Sequence, residues 1–99
     1  MILEVAMLNV KPGTQEQFEV NFGEAQSIIE SMHGYVSHQL QRCIEDASRY
    51  ILFVNWQTLE DHTVGFRESK EYDLWRSLLH EFYDPFPEVL HYQSVYQNP

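Results

Sequence analysis

Cysteine, basic residues and long apolar runs are all scarce in this chain, and each shortage removes a class of function. Cys43 is the only cysteine among 99 residues. An intrachain disulfide is therefore impossible, which fits a reducing compartment, and no Cys-x-x-Cys pair exists for redox or metal work. Six Lys and Arg stand against 15 Asp and Glu, for a formal net charge of −9. A surface of that sign repels phosphate, so neither nucleic acid nor an anionic membrane is an expected partner. No stretch approaches the roughly 18 apolar residues of a membrane span. The N-terminus MILEVAMLNV has no basic segment ahead of its apolar residues, so it is not a secretory signal. These absences predict a soluble cytoplasmic protein, with residues 1–99 forming a single domain.

Chemical motifs are equally sparse. There is no Gly-rich phosphate loop and no nucleophile elbow. His80-Glu81 is not followed by the second histidine of an HExxH pair, and the five histidines share no metal-ligand spacing. No metal is expected.

What is present is pattern. Residues 2–10, ILEVAMLNV, are rich in strand formers. Lys11-Pro12-Gly13 makes a turn, and Thr14 with Gln17 has the spacing of a capping box. Phe18, Phe22, Ala25, Ile29 and Met32 then recur at helical spacing, and Gly34 ends the helix. Glu16, Glu19, Glu24 and Glu30 fall on its polar face. Residues 35–43 and 49–57 read as strands joined by a turn at Glu45-Asp46-Ala47-Ser48. Thr58, with Asp61 three residues on, opens a short helix that aims Leu59, His62 and Phe66 at one face. A second helical piece carries Tyr72, Trp75, Leu79 and Phe82 on a stripe, and Asp84-Pro85-Phe86-Pro87 stops it. Residues 88–96 read as a last strand.

The order β-α-β-β-α-β predicts an α+β, ferredoxin-like fold with a four-stranded antiparallel sheet and helices on one face. Yet the first and third strands are apolar on both faces, as Ile2, Leu3, Val5, Ala6, Met7 and Leu8 illustrate. Helices on one side leave the other uncovered, and monomers rarely expose so large an apolar patch. A second copy packed sheet to sheet would cover it, so a homodimer is expected.

Trp56-x-x-Leu59-Glu60-x-His62, followed by Phe66-x-x-Ser69-x-x-Tyr72, resembles the antibiotic biosynthesis monooxygenase family. The opening strand, the Lys11-Pro12-Gly13 turn and the Gly34-Tyr35 helix exit carry the likeness over most of the chain. The resemblance implies a dimeric α+β barrel, with a pocket between the sheet and the second helical region. It also implies oxidation of aromatic phenols to quinones by O2 with no metal, flavin or haem: the substrate is the reductant, and the protein orients and deprotonates it. Other members isomerise, cyclise or degrade haem. The asparagine and tryptophan positions of the haem-degrading branch fall near Ala6 and Val64 here, which disfavours haem.

His62 is the candidate base or orienter, since imidazole titrates near neutral pH. The competing reading is a core histidine tying helix to sheet. Asn55, Phe66, Tyr72 and Trp75 are candidate substrate contacts: an amide to hold an oxygen, and aromatics to stack on a small aromatic ligand. The alternatives are a turn-capping asparagine and an ordinary aromatic core. Trp56 reads as core or dimer interface, and His38 and His91 sit on strands where either can face a cavity. Two functions stay open: a cofactor-independent monooxygenase, or a non-catalytic, small-ligand-binding or stress-related dimer on the same fold.

Overall fold

The computed structural model describes every residue from Met1 to Pro99. Strands β1 (Ile2–Asn9), β2 (Tyr35–Arg42), β3 (Arg49–Trp56) and β4 (Val89–Tyr92) form one antiparallel sheet in the order β2-β3-β1-β4. Helix α1 (Gln15–Glu30) follows β1. Between β3 and β4 the chain makes a π turn (Asp61–Phe66), helix α2 (Lys70–Leu79) and a 3-10 turn (His80–Phe82). This is the α+β, ferredoxin-like arrangement that the element order implies. No helix is long and apolar enough to cross a membrane.

Strand alternation divides the sheet into two unlike faces. Ala6 and Leu8 from β1 and Val10 just after it, with Tyr50, Leu52, Val54 and Trp56 from β3, point inward and are almost fully buried. They meet Phe18, Phe22, Ala25 and Ile29 of α1 and Trp75, Leu79 and Phe82 of the second helical region. Thus the helical stripe and the strand period agree on one core. The other face has no cover: Met7 is 48% exposed, Leu90 46% and Tyr92 52%.

Several local expectations need correction. Thr14 does not cap α1 with its side chain. Its hydroxyl donates back to the Lys11 carbonyl, closing the turn, and the Gln17 amide reaches Asn21 instead of the helix start. Glu19 is more than a solvated charge, because Tyr50 Oη donates to it at 2.6 Å. Leu59 is 39% exposed and does not share the face of His62 and Phe66. Leu59 precedes the π turn that carries His62 and Phe66, a winding marked by Arg67 N–H donating to the His62 carbonyl five residues back. The last strand has four residues, not nine. Tyr92 sits opposite Leu3 and only Ile2 of β1 lies beyond it, so β1 offers no partner to residues 94–96.

Two turn devices hold the π turn in place. Thr58 Oγ1 accepts from Asp61 N–H while an Asp61 carboxylate oxygen accepts from Thr58 N–H, both at 3.2 Å. Gly34, at φ +84°, packs its backbone against Asp61, and a Cβ there would overlap that carboxylate. Ser69 then caps α2 by accepting from Tyr72 N–H.

Candidate functional site

A cavity of about 440 Å³ opens between the inner sheet face and the second helical region. That volume lies within the usual range for small-molecule sites. Phe66, Tyr72, Trp75, Tyr83 and Phe86 supply aromatic walls, and Glu4, His62, Arg67 and His80 supply the polar groups. Phe66 stands at the centre of the aromatic packing, with Tyr72 edge-on at 5.2 Å and Trp75 at 5.7 Å between ring centres.

The polar end is built on Glu4, a carboxylate in the middle of an apolar strand. It lies opposite Val54 on one side and His91 on the other. Alternation puts it in phase with Ala6 and Leu8, so its side chain must enter the core; it is 6% exposed. Three neighbours make this tolerable. Trp56 Nε1–H donates to Glu4 Oε1 at 2.9 Å. His62 Nε2 lies 3.3 Å from the same oxygen. His62 Nδ1 lies 2.8 Å from His91 Nε2. The His62 ring is itself stacked on the Trp56 indole, with 5.4 Å between centres and 20° between planes.

Glu4 Oε2 makes no hydrogen bond within the protein, and no buried side-chain oxygen or nitrogen is left without a partner. Since Glu4 lines the cavity, Oε2 is the oxygen presented to it.

Burial dominates the protonation of this group. Desolvation pushes Glu4 up to about 7, against the downward pull of the Trp56 hydrogen bond and the Arg67 charge. Desolvation, followed by the charges of Arg67 and His91, lowers His62 to about 3. A distance of 3.3 Å between imidazole and carboxyl would ordinarily be read as an ion pair. With His62 so deeply buried beside Arg67, the imidazole is neutral, and the contact is a close polar approach rather than a salt bridge. Burial also lowers His80 and His91 and raises Tyr83.

The sequence-derived candidates separate. His62, Phe66, Tyr72 and Trp75 all line this cavity. Asn55 does not. It lies on the outer sheet face with its amide donating to Ser37 Oγ, because strand alternation gives the inward position to Trp56. His38 also stays apart: it links Tyr35 Oη to Gln26 and so ties β2 to α1. Sequence reading missed Glu4 as a site group and did not single out Arg67 or Tyr83. A signal for Glu4 was present, since it is the one charge in residues 2–10 and shares its phase with Ala6, Leu8 and Val10.

The fold recurs in known proteins. Residues 1–78 match the family model described as antibiotic biosynthesis monooxygenase. YczJ of Bacillus subtilis (strain 168) is 52% identical over 95 residues, covering 96% of this chain and 100% of that protein. A crystal structure from Bordetella bronchiseptica, assigned to the antibiotic biosynthesis monooxygenases, is 36% identical with a TM-score of 0.91, covering 96% of this chain and 97% of that one. SnoaB, a cofactor-independent oxygenase from Streptomyces nogalater, shares the fold with a TM-score of 0.83 at 18% identity, over 99% of this chain and 96% of its own. The chain belongs to the antibiotic biosynthesis monooxygenase family.

Proposed function

We propose that the protein is a cofactor-independent monooxygenase that oxidises a small aromatic or quinol-like substrate with O2. The observation that carries the reading is a buried carboxyl, Glu4, raised to about 7 and presenting a free oxygen to an aromatic-walled cavity. A base that titrates near the working pH is well matched to a phenol proton. Phe66, Tyr72 and Trp75 stack on the substrate ring and hold its hydroxyl toward Glu4 Oε2. The substrate O–H bond breaks and its proton passes to that oxygen. The phenolate gives one electron to O2, the radical pair joins at a ring carbon bearing hydrogen, the peroxide anion so formed takes the proton back from Glu4 Oε2, and the resulting hydroperoxide loses water. One oxygen atom stays in the quinone and the other leaves as water, with all four electrons coming from the substrate.

Glu4 is the base in this scheme and His62 the orienter. An imidazole lowered to about 3 is too weak a base for a phenol, while its ring, clamped on Trp56, fixes the direction of Glu4. Asn55 has no part in substrate contact.

The working unit is a cytoplasmic homodimer, with all of residues 1–99 acting as one domain. Leu3, Val5, Met7, Phe53, Leu90 and Tyr92 lie on the uncovered sheet face, and a second copy around a two-fold axis would bury them. That coverage would keep the sheet edge next to the cavity rigid.

Oxygen uptake by metal- and flavin-free protein is the test, with naphthols, anthrones and quinols as the panel. Uptake with one quinone formed per O2 is expected. Binding of panel members without uptake would replace this reading with a non-catalytic ligand-binding dimer.

A further inference from the structure

The cavity explains one side of Glu4 but leaves His91 unused. His91 lies on edge strand β4, directly across from Glu4, and its ring stands 5.0 Å from that of His62. The contacts run in series: Glu4 Oε1 to His62 Nε2 at 3.3 Å, then His62 Nδ1 to His91 Nε2 at 2.8 Å. The oxygen–nitrogen and the nitrogen–nitrogen contact each have room for one shared proton. The groups aim at one another and not at a common centre, and no set of three such side chains forms a metal cage. His91 Nδ1 has no partner in the protein, and since no partially exposed residue hides an unpartnered polar atom, this nitrogen reaches solvent.

We propose that Glu4, His62 and His91 form a proton relay that connects the cavity carboxyl to solvent at the sheet edge, with His91 as its outer terminus. Two hydrogen-bond patterns satisfy the chain. With Glu4 protonated on Oε1, the carboxyl donates to His62 Nε2, His62 Nδ1–H donates to His91 Nε2, and His91 carries its proton on Nδ1. With Glu4 ionised, every bond reverses: His62 Nε2–H donates to Glu4, and His91 Nε2–H donates to His62 Nδ1.

Passage from the first pattern to the second breaks the Glu4 O–H, His62 Nδ1–H and His91 Nδ1–H bonds. It forms His62 Nε2–H and His91 Nε2–H, and the third proton goes to water. The carboxyl gains one negative charge, and no imidazolium need persist. Stacking of His62 on Trp56 keeps both of its nitrogens on their partners throughout. The ionisable and charged groups facing the chain are Arg67 from the end of the π turn, Tyr72 from α2, and His80 and Tyr83 beyond it. The Arg67 charge favours the ionised carboxyl and disfavours a cation on either ring of the relay. The use of the relay, which is to ionise Glu4 before substrate binds, rests on the monooxygenase reading; the relay itself rests on the geometry.

The test is the tautomer of each ring, read from imidazole ¹⁵N shifts across the Glu4 titration in the full-length protein. The expected result is a joint switch: proton on Nδ1 of both His62 and His91 at low pH, and on Nε2 of both at high pH, with a shared midpoint that matches the Glu4 carboxyl ¹³C signal. An imidazolium, with both nitrogens protonated, gives distinct shifts, and one that forms on either ring in step with the Glu4 midpoint overturns the relay. Glu4→Gln, checked for folding by circular dichroism, is expected to abolish the switch. The relay is overturned if either ring holds one tautomer throughout, or if the switch survives in Glu4→Gln. Oxygen uptake with no switch sinks the relay alone, and a switch with no uptake sinks the monooxygenase reading alone.

Discussion

Replacing Glu4 by Gln is expected to stabilise the protein at high pH, although the substitution alters a buried and well-bonded side chain. The sign follows from where the carboxyl titrates. Glu4 ionises at 4.5 in an unfolded chain and at about 7 in the fold, so the folded state holds a proton that the unfolded state has already released. Stability therefore falls as pH rises between those values, by about 1.36 kcal/mol for each pH unit. The total is about 3 kcal/mol, undiminished by solvent screening because the group is 6% exposed. His62 acts in the opposite sense: its depressed value of about 3 makes the fold lose stability as pH falls below the ordinary 6.5. Because His62 stays neutral in the folded state of both proteins above about pH 4, its contribution cancels in their difference. Urea unfolding of the wild type and Glu4→Gln, at fixed protein concentration from about pH 4 to about pH 8, reads that difference directly. Glu4→Gln is expected to gain about 3 kcal/mol on the wild type over this range. Parallel profiles, within about 1 kcal/mol, would refute a raised Glu4 and with it the base assigned to the site.

Trp56→Phe removes the one indole donor to Glu4 Oε1, a hydrogen bond to a charged group worth about 1.5–3 kcal/mol, so the Glu4 midpoint is expected to rise by roughly 1–2 pH units in a carboxyl ¹³C titration. Gly34→Ala places a Cβ on the Asp61 carboxylate at a positive φ, and thermal unfolding is expected to show a loss of about 1–3 kcal/mol. Val5→Asp puts a charge at the centre of the uncovered sheet face while leaving the cavity untouched, so light scattering is expected to change from dimer to monomer; a wild type that is monomeric when dilute would remove the dimer altogether.

Period and punctuation made the fold legible. The helical stripe of Phe18, Phe22, Ala25 and Ile29 and the two-residue alternation of Tyr50, Leu52, Val54 and Trp56 each name a buried face, and the two faces meet in one core. The Thr58–Asp61 cap and the Gly34 exit were readable because turn chemistry is local. Strand length was not local: only Ile2 of β1 lies beyond the Tyr92–Leu3 pair, so residues 94–96 have no partner strand, and nothing within residues 88–96 records that. The cavity wall of Phe66, Tyr72 and Trp75 followed from helical spacing, with His62 beside it. Asn55 and Trp56 were ambiguous because one residue of register decides which faces inward. Glu4 was overlooked for a different reason. A single charge in a strand is usually taken to point outward, and only the partners Trp56, His62 and His91, which lie 52, 58 and 87 positions further along, make an inward one tolerable.

The central claim is that Glu4 takes the substrate proton in a metal- and flavin-free oxidation, and its pH–rate profile tests that most directly. Initial oxygen uptake would be followed across pH with the best substrate of the naphthol, anthrone and quinol panel, for the wild type and Glu4→Gln. The account predicts a kcat/KM that rises through a single ionisation near the Glu4 midpoint of about 7 and is lost in Glu4→Gln. Uptake that is undiminished in Glu4→Gln, with the same pH dependence, would contradict it.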